Sequence, residues 1–269
     1  MAALAEEQGI PTYCTIFSLE RALDLKPQLG GSADLIVANN VFNHANDPVD
    51  FAKGVQELLS DTGTFVFQVP YWYNTITDEK FDQIYHEHPS YFTVKSACNL
   101  LKLAGLKVYD VEWFDYHGGS IRVYASKEDC VPTRDVREYI TKEEDANLFD
   151  PEYYKEFMKK IKKKRDCFLS MLYGLSAEGH SIIAVGAAAK GNTFLNYYNL
   201  DSSIIEYVTD TSEYKVGKYT PLSRIPIQTD NEVFSKYDKI YAVILSWNIS
   251  DLIKDKLKNI NKNIQFLLR

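Results

Sequence analysis

The stretch "HSIIAVGAAAKGNTFLNYYNL", His180 to Leu200, passes from an apolar run through a glycine turn into a helix-forming segment. Strand, tight turn and helix together form the unit from which α/β folds are assembled. Downstream, "IIEYVTD", "KIYAVILSW" and "NIQFLL" supply further short apolar strands, and "SDLIKDKLKNI" a helix between the last two. Residues 176–269 therefore read as one small α/β domain. Immediately upstream, Tyr154, Phe157, Ile161, Phe168, Leu172 and Leu175 recur near helical spacing, which predicts a helix from about Glu152 to Leu175. The basic run "KKIKKKRD" inside it then becomes the solvated face rather than a phosphate or membrane patch.

The first half repeats the alternation. "DLIVA" (Asp34–Ala38) is a buried strand running into an Asn-Asn turn, and "DPVDFAKGVQELLSDTG" a helix stopped by Gly63. "TFVFQVP" is a second strand, closed by Pro70. A helix with "ACNLLKLAG", a strand with "LKVYDVEWF" and another with "HGGSIRVYAS" follow, the last two antiparallel because their link is short. Residues 1–128 are expected to form one domain, and 129–175 a connection ending in the long helix.

Composition narrows the classes. The chain has 269 residues, 45% hydrophobic and 25% charged, which is globular. A net charge of −7 argues against nucleic acid as the main partner. No apolar run approaches the roughly 20 residues of a membrane span, and "MAALAEEQGIP" has no basic n-region. Cytoplasm is the expected location. Cys14, Cys98, Cys130 and Cys167 form no C-x-x-C pair and read as free, mostly buried thiols.

Four places carry chemistry. In "VGAAAKGNTF" small residues let a phosphate approach helix N-terminal amides, with Gly186, Ala187, Lys190, Gly191 and Asn192 as candidates. The order of Lys190 and Gly191 is not that of a P-loop, and the alternative is a turn whose alanines merely pack. Asp210, 24 residues beyond Gly186, stands where a Rossmann-type acid meets a ribose. "NNVFNHAND" (Asn39–Asp47) lies at the carboxyl end of a parallel strand, where α/β sheets bind ligands; His44 reads equally as a surface histidine. "HGGSIRV" places His117 and Ser120 at a glycine turn, or in a plain hairpin with a bulge. In "FDQIYHEHPSYF" (Phe81–Phe92), His86 and His88 would share a face if the segment were a strand. They are then two-thirds of a zinc site completed by His44 or His117. Alternatively one is a general base oriented by Glu87 or a tyrosine. Spacing alone leaves base, metal and surface loop open.

Taken in series, "NNVFNH", "FDQIYHEHPSYF", "HGGSIRV", "VGAAAKGNTFLNY", "VTDTSEYKVGKYTP", "RIPI" and "LSWN" resemble the S-adenosylmethionine-dependent C-methyltransferases of nucleotide-linked keto-deoxysugars. The resemblance covers nearly the whole chain. It implies an α/β fold: the C-terminal part of a class I methyltransferase Rossmann-like domain, followed by a second, smaller Rossmann-like domain. It implies carbon methylation at C3 of a 4-keto sugar, with His88 as the base and no metal in the reaction. Glu87 holds His88 in its tautomer, Tyr85 completes the catalytic set, and Asn40 and His44 face the sugar. Asn39 and Asn40 form the remaining wall for S-adenosylmethionine. His117, Gly118, Gly119, Ser120 and Arg122, with the 186–192 turn and Asp210, would hold the sugar nucleotide between the two domains.

Two departures accompany the resemblance. Where the family usually has Pro-Gly, Pro221 is followed by Leu222. The family's cysteine-rich zinc module and the glycine-rich loop that cradles the methyl donor are not found in this chain. "MAALAEEQGIPTYCTIF" then matches the end of the family's second helix and its third strand. The strand "DLIVAN" is expected to lose a ladder partner, with apolar surface meeting water and catalysis weakened. The alternatives are a non-catalytic nucleotide-sugar-binding fragment and, further off, a His-x-His zinc hydrolase.

Overall fold

In the computed structural model the described residues are Ala2–Leu267. Met1, which opens the first stretch, and Leu268, which closes the expected last strand, lie outside the described residues. The elements of the first half are α1 (Ala2–Glu7), α2 (Leu19–Leu25), β1 (Ala33–Asn39), α3 (Pro48–Leu58), β2 (Leu59–Pro70), α4 (Trp72–Thr77), α5 (Val94–Leu103), β3 (Lys107–Phe114), β4 (Ser120–Ser126) and α6 (Arg134–Asp145). The second half holds α7 (Pro151–Ala177), β5 (Ile182–Val185), α8 (Ala189–Tyr197), β6 (Tyr207–Thr209), β7 (Ile227–Gln228), α9 (Asp230–Phe234), β8 (Ile240–Ile244), α10 (Ser250–Ile260) and β9 (Ile264–Leu267).

Two units emerge. Unit 1 is Met1–Tyr73 with Pro89–Phe149, and unit 2 is Asn74–His88 with Asp150–Arg269. The expected boundaries at 128 and 175 differ from this division, and packing explains why. Val136, Tyr139 and Ile140 of α6 enter the first core, whereas Phe168 and Leu172 of α7 enter the second. Residues 74–88 leave the first half of the sequence to join unit 2.

In unit 1 the sheet order is β1-β2-β4-β3, with β1 and β2 parallel and the remaining pairs antiparallel, as the short β3–β4 link implies. Its core is aromatic: Phe42 lies 5.1 Å from Phe51, 4.9 Å from Phe67 and 5.1 Å from Phe92, ring centre to ring centre. Strand β1 is an edge. Ala38 and Ile36 turn to this core, while Leu35 and Val37 on the other face are 60% and 53% exposed. The segment from Thr12 to Phe17 forms no strand; it has no ladder partner to fix it.

Gly63 does not stop α3. Helix α3 ends at Leu58, and Gly63 sits inside β2, where an added Cβ would stand 2.9 Å from the Ala33 carbonyl oxygen. Close strand approach, not helix termination, requires glycine there.

The cysteines also depart from expectation. Cys14 and Cys167 are exposed, while Cys98 and Cys130 are half-buried. Cys14 lies in the irregular segment and Cys167 on the outer face of α7. Burial pushes the Cys98 thiol up to about 11.

Unit 2 is a parallel sheet in the order β7-β6-β5-β8-β9. Both faces are covered, as parallel sheets require. Ile182 and Ala184 pack towards Phe168, Leu172 and Phe194, and Ile183 and Val185 towards Val233, Phe234 and Leu257. On α7, Lys159, Lys160 and Lys162–Lys164 are exposed, opposite the buried Phe157, Ile161, Phe168 and Leu172. Strand order reverses between β5 and β8, and this switch point defines a ligand crevice at their carboxyl ends.

Two details generate tests. Glu143 on α6 is fully buried and accepts from the Val94 (2.5 Å) and Lys95 (3.0 Å) amides at the start of α5, and from Tyr71 Oη at 2.9 Å. Burial nevertheless holds its carboxyl above the usual 4.5, outweighing these hydrogen bonds. Glutamine puts an NH2 where an acceptor is needed, so Glu143→Gln is expected to cost about 1–3 kcal/mol in urea unfolding. Because the folded-state value is raised, the carboxyl's contribution is fullest below its unfolded value and is lost as pH rises through the folded one. The wild type's margin over Glu143→Gln therefore narrows as pH rises from the ordinary carboxylate range through the raised folded-state value; a widening margin contradicts the reading.

Leu222, where the resemblance leads to an expectation of glycine, has φ +65° and an exposed side chain. The turn keeps glycine's geometry around a residue that prefers otherwise. Left-handed backbone costs a non-glycine residue about 1–2 kcal/mol, partly offset by glycine's greater entropy when unfolded. Leu222→Gly should stabilise unit 2 by about 0.5–1 kcal/mol, measured by the same unfolding curves.

Candidate functional site

The candidate residues of unit 1 gather at one edge of its sheet. Asn39 ends β1 opposite Gln68, Gln68 pairs with Arg122, and Pro70 pairs with Ser120. The Asn39–His44 turn and the His117–Ser120 hairpin therefore both lie at the carboxyl end of the parallel pair β1–β2. Phe42, fully buried, pins the first turn into the core. Asn40 is left-handed (φ +52°), its amide donating to the Gln68 carbonyl at 2.7 Å, and its Oδ1 is buried with no hydrogen-bond partner among the described residues. Asn43 shares this state: buried, with Oδ1 likewise unsatisfied. Asn43 is not among the expected site residues, although it stands within the motif "NNVFNH". His44 is exposed at the end of a 3-10 turn (Phe42–His44).

The hairpin is more committed than expected. His117, Gly118 and Gly119 all have positive φ, and the Gly119 carbonyl accepts from the Tyr71 amide at 3.0 Å. Ser120 is fully buried and its hydroxyl donates to the Tyr116 carbonyl at 2.8 Å, so it closes the turn rather than reaching a ligand. Arg122 stacks 4.2 Å over Phe114, donates to Gln68 Oε1 at 3.0 Å, and lies 3.9 Å from Glu112. It braces the sheet across three strands.

The His-Glu-His segment belongs to unit 2 and is a turn, not a strand. The two rings consequently do not share a face: the His86 side chain is 89% exposed, whereas His88 is only 8% exposed. Among the described residues no group of three His, Cys, Asp or Glu side chains is placed to hold a metal ion. His88 Nδ1 lies 3.0 Å from the Gln83 carbonyl oxygen and Nε2 lies 2.9 Å from Tyr85 Oη. A carbonyl can only accept, so Nδ1 carries the hydrogen and Nε2 presents its lone pair to the tyrosine hydroxyl.

Glu87 is corrected by this geometry. It lies beside His86, 3.8 Å from its Nε2, and faces solvent. A one-residue step round the turn separates it from the ring it was expected to hold. The backbone of Gln83 does that work instead, and no side-chain signal in the sequence could reveal a carbonyl.

Phe81, Asp82 and Gln83 form a 3-10 turn (Phe81–Gln83) anchored on the rest of unit 2. Phe81 packs 4.8 Å from Tyr197 and 6.1 Å from Tyr198, and Asp82 accepts from Trp247 Nε1 at 2.8 Å. Trp247 comes three residues after the end of β8, at the switch-point crevice.

The glycine turn of unit 2 opens α8 at the same crevice. Gly186 has φ +96°, and an added Cβ would lie 2.2 Å from Ser246 Oγ; a Cβ at Gly191 would meet the Gly186 carbonyl oxygen at 2.9 Å. Strand end and helix start can approach only without side chains. Helix α8 begins at Ala189, and its N-cap residue Ala188 offers no side-chain cap, leaving the first amides to other partners. Lys190 Nζ stands 4.9 Å from the Trp247 ring, and Asn192 Oδ1 is buried without a hydrogen-bond partner among the described residues.

Asp210 does not keep its expected freedom. Its carboxylate accepts from the Ala187 amide (2.8 Å), the Ser212 amide (2.9 Å) and Lys215 Nζ (3.2 Å). The acid fastens the β5 turn to the loop after β6, and it occupies an amide, that of Ala187, expected to meet a phosphate.

A methyltransferase domain family matches residues 4–111, and the C-methyltransferase C-terminal domain family matches residues 115–268. The chain is 31% identical over 265 residues to the C-methyltransferase NovU of Streptomyces niveus, covering 98% of this chain and 63% of that protein. It thus spans about 63% of the length of the curated relative it matches. A S-adenosylmethionine-dependent methyltransferase of Clostridium acetobutylicum aligns with a TM-score of 0.34 at 11% identity, over 49% of this chain and 69% of that one. One of Thermotoga maritima aligns at 0.34 and 14%, over 48% and 69%. The match to the C-methyltransferase C-terminal domain family over residues 115–268, more than half of its length, shows that the chain belongs to the C-methyltransferase family.

Proposed function

We propose that the chain takes part in S-adenosylmethionine-dependent C-methylation of a nucleotide-linked 4-keto-deoxysugar at C3, with His88 as the proton acceptor. The observation that carries this reading is the buried His88 ring with Nδ1–H fixed on the Gln83 carbonyl and Nε2 turned to Tyr85. A proton α to a ketone is acidic enough for such a base when the developing enolate oxygen finds a donor. The substrate's C3–H takes the place of the Tyr85 hydroxyl at Nε2. The C–H pair becomes the C3–C4 double bond of the enolate, charge collects on the C4 oxygen, and Tyr85, released, donates to it.

S-adenosylmethionine, when bound, supplies an electrophilic sulfonium methyl group. What this chain offers it is the Asn39–Asn43 turn, where the buried, unsatisfied Oδ1 atoms of Asn40 and Asn43 fit the donor groups of such a ligand. The uncapped start of α8 and Lys190 support a role for unit 2 in holding the nucleotide's diphosphate. Hydrogen bonding of Asp210 to Ala187 leaves the later amides of that turn for the task.

Proton removal can be followed without the methyl donor. In deuterated water the chain should exchange the C3 hydrogen of a nucleotide-linked 4-keto-6-deoxysugar, read by NMR. His88→Asn should slow this exchange by about a thousandfold with binding of the sugar nucleotide little changed; exchange at the wild-type rate would refute the assignment. Lys190→Ala should weaken binding of the free nucleoside diphosphate by about tenfold in calorimetric titration. An unchanged affinity removes the phosphate role of that turn.

A further inference from the structure

Two motifs in unit 2, "FDQ" (Phe81–Gln83) and "LSWN" (Leu245–Asn248), have no part in the proton transfer itself, yet they meet. The Trp247 indole N–H donates to Asp82 Oδ2 at 2.8 Å, and Asp82 is 1% exposed. The next residue, Gln83, provides the carbonyl that holds His88 Nδ1 at 3.0 Å. The carboxylate is buried although the indole is only half-buried, so the bond is directional and Asp82 has little water to turn to in its place. The indole also has Lys80 Nζ at 5.1 Å and Lys190 Nζ at 4.9 Å. Two ammonium groups near the ring draw on its electrons and make the N–H a better donor.

We propose that Trp247 and Asp82 are positioning residues for His88: the indole–carboxylate bond fixes the 81–83 turn, and the turn's Gln83 carbonyl sets the tautomer of the histidine. The functional meaning rests on the reading of His88 as a base, but the tautomer itself does not. A turn released from Trp247 leaves the Gln83 carbonyl free to rotate, and the imidazole then distributes its hydrogen between both nitrogens. Lys190, from the turn that opens α8, touches the same indole, so the ligand turn and the base segment share one anchor.

The test is long-range proton–nitrogen NMR on the chain labelled with 15N-histidine, the His88 signals identified by their loss in His88→Asn. The wild type should show a single Nδ1–H tautomer. Trp247→Phe keeps an aromatic ring and removes the N–H; it should lower the ratio of Nδ1–H to Nε2–H by about tenfold. Asp82→Asn still offers an oxygen to the indole and should retain the wild-type tautomer, a rescue that loss of packing does not produce. Should Trp247→Phe fail to fold, Asp82→Ala removes the same bond and is expected to give the same loss. A tautomer ratio unchanged in Trp247→Phe, or in Asp82→Ala where Trp247→Phe does not fold, overturns the proposal. The C3 exchange assay keeps the two ideas apart. Wild-type exchange by His88→Asn sinks the base assignment and leaves the tautomer result standing. An unchanged tautomer beside abolished exchange in His88→Asn sinks only the positioning role.

Discussion

The bond between Asp82 and Trp247 is the constraint around which unit 2 is organised. Residues 74–88 lie in sequence between β2 and α5, both elements of unit 1, yet they belong with the strands encoded some hundred residues later. Nothing local makes them do so. Phe81 enters an aromatic group with Phe194, Tyr197 and Tyr198, and each such ring pair adds about 0.5–1.5 kcal/mol beyond burial. The indole–carboxylate bond then fixes direction as well as place, which hydrophobic contact alone cannot do. Loss of the indole would remove a hydrogen bond from a buried carboxyl, which carries a desolvation cost.

Such long-range ties explain what could be read in the sequence and what could not. Periodicity and link length exposed the alternating strands and helices, the antiparallel β3–β4 pair and the apolar stripe of α7, because each is decided by residues close in sequence. The unit boundaries were hidden, since α6 and residues 74–88 are assigned by packing partners far along the chain. Gly63 looked like a helix stop because glycine serves both for ending helices and for close strand approach; only the facing Ala33 carbonyl distinguishes them. At the candidate site His88 and Tyr85 were legible as chemistry-bearing residues. The Gln83 carbonyl was not, because every residue has one. Asp210 was legible as an acid at the right distance from Gly186, but its engagement with Ala187, Ser212 and Lys215 depends on a loop whose path the sequence does not display.

Leu35 and Val37 follow the same logic from the opposite side. Strand β1 alternates, Ile36 and Ala38 towards the aromatic core and Leu35 and Val37 away from it. Parallel strands are normally covered on both faces, as every residue of β5 is in unit 2. The two sheets therefore differ in cover: among the described residues unit 2 covers both faces of its central strands, while unit 1 covers one face at β1. The expectation of apolar surface at this strand thus holds in the structure, in the two side chains that the period of two places on the open face.

The replacement of Glu87 by a backbone carbonyl at His88 Nδ1 has a chemical consequence. A carboxylate there would pair with the protonated ring and favour the imidazolium. A carbonyl fixes the tautomer but carries no net charge, so it orients the ring without adding an ion pair to its acid form. Proton abstraction from carbon needs a ring that is neutral when the substrate arrives, with its lone pair already aimed. The Gln83 carbonyl supplies the aim, and the exposure of Glu87 keeps the charge away. In the proposed transfer the driving force would come from the other product, the enolate, to which the Tyr85 hydroxyl, 2.9 Å from Nε2 at rest, would donate.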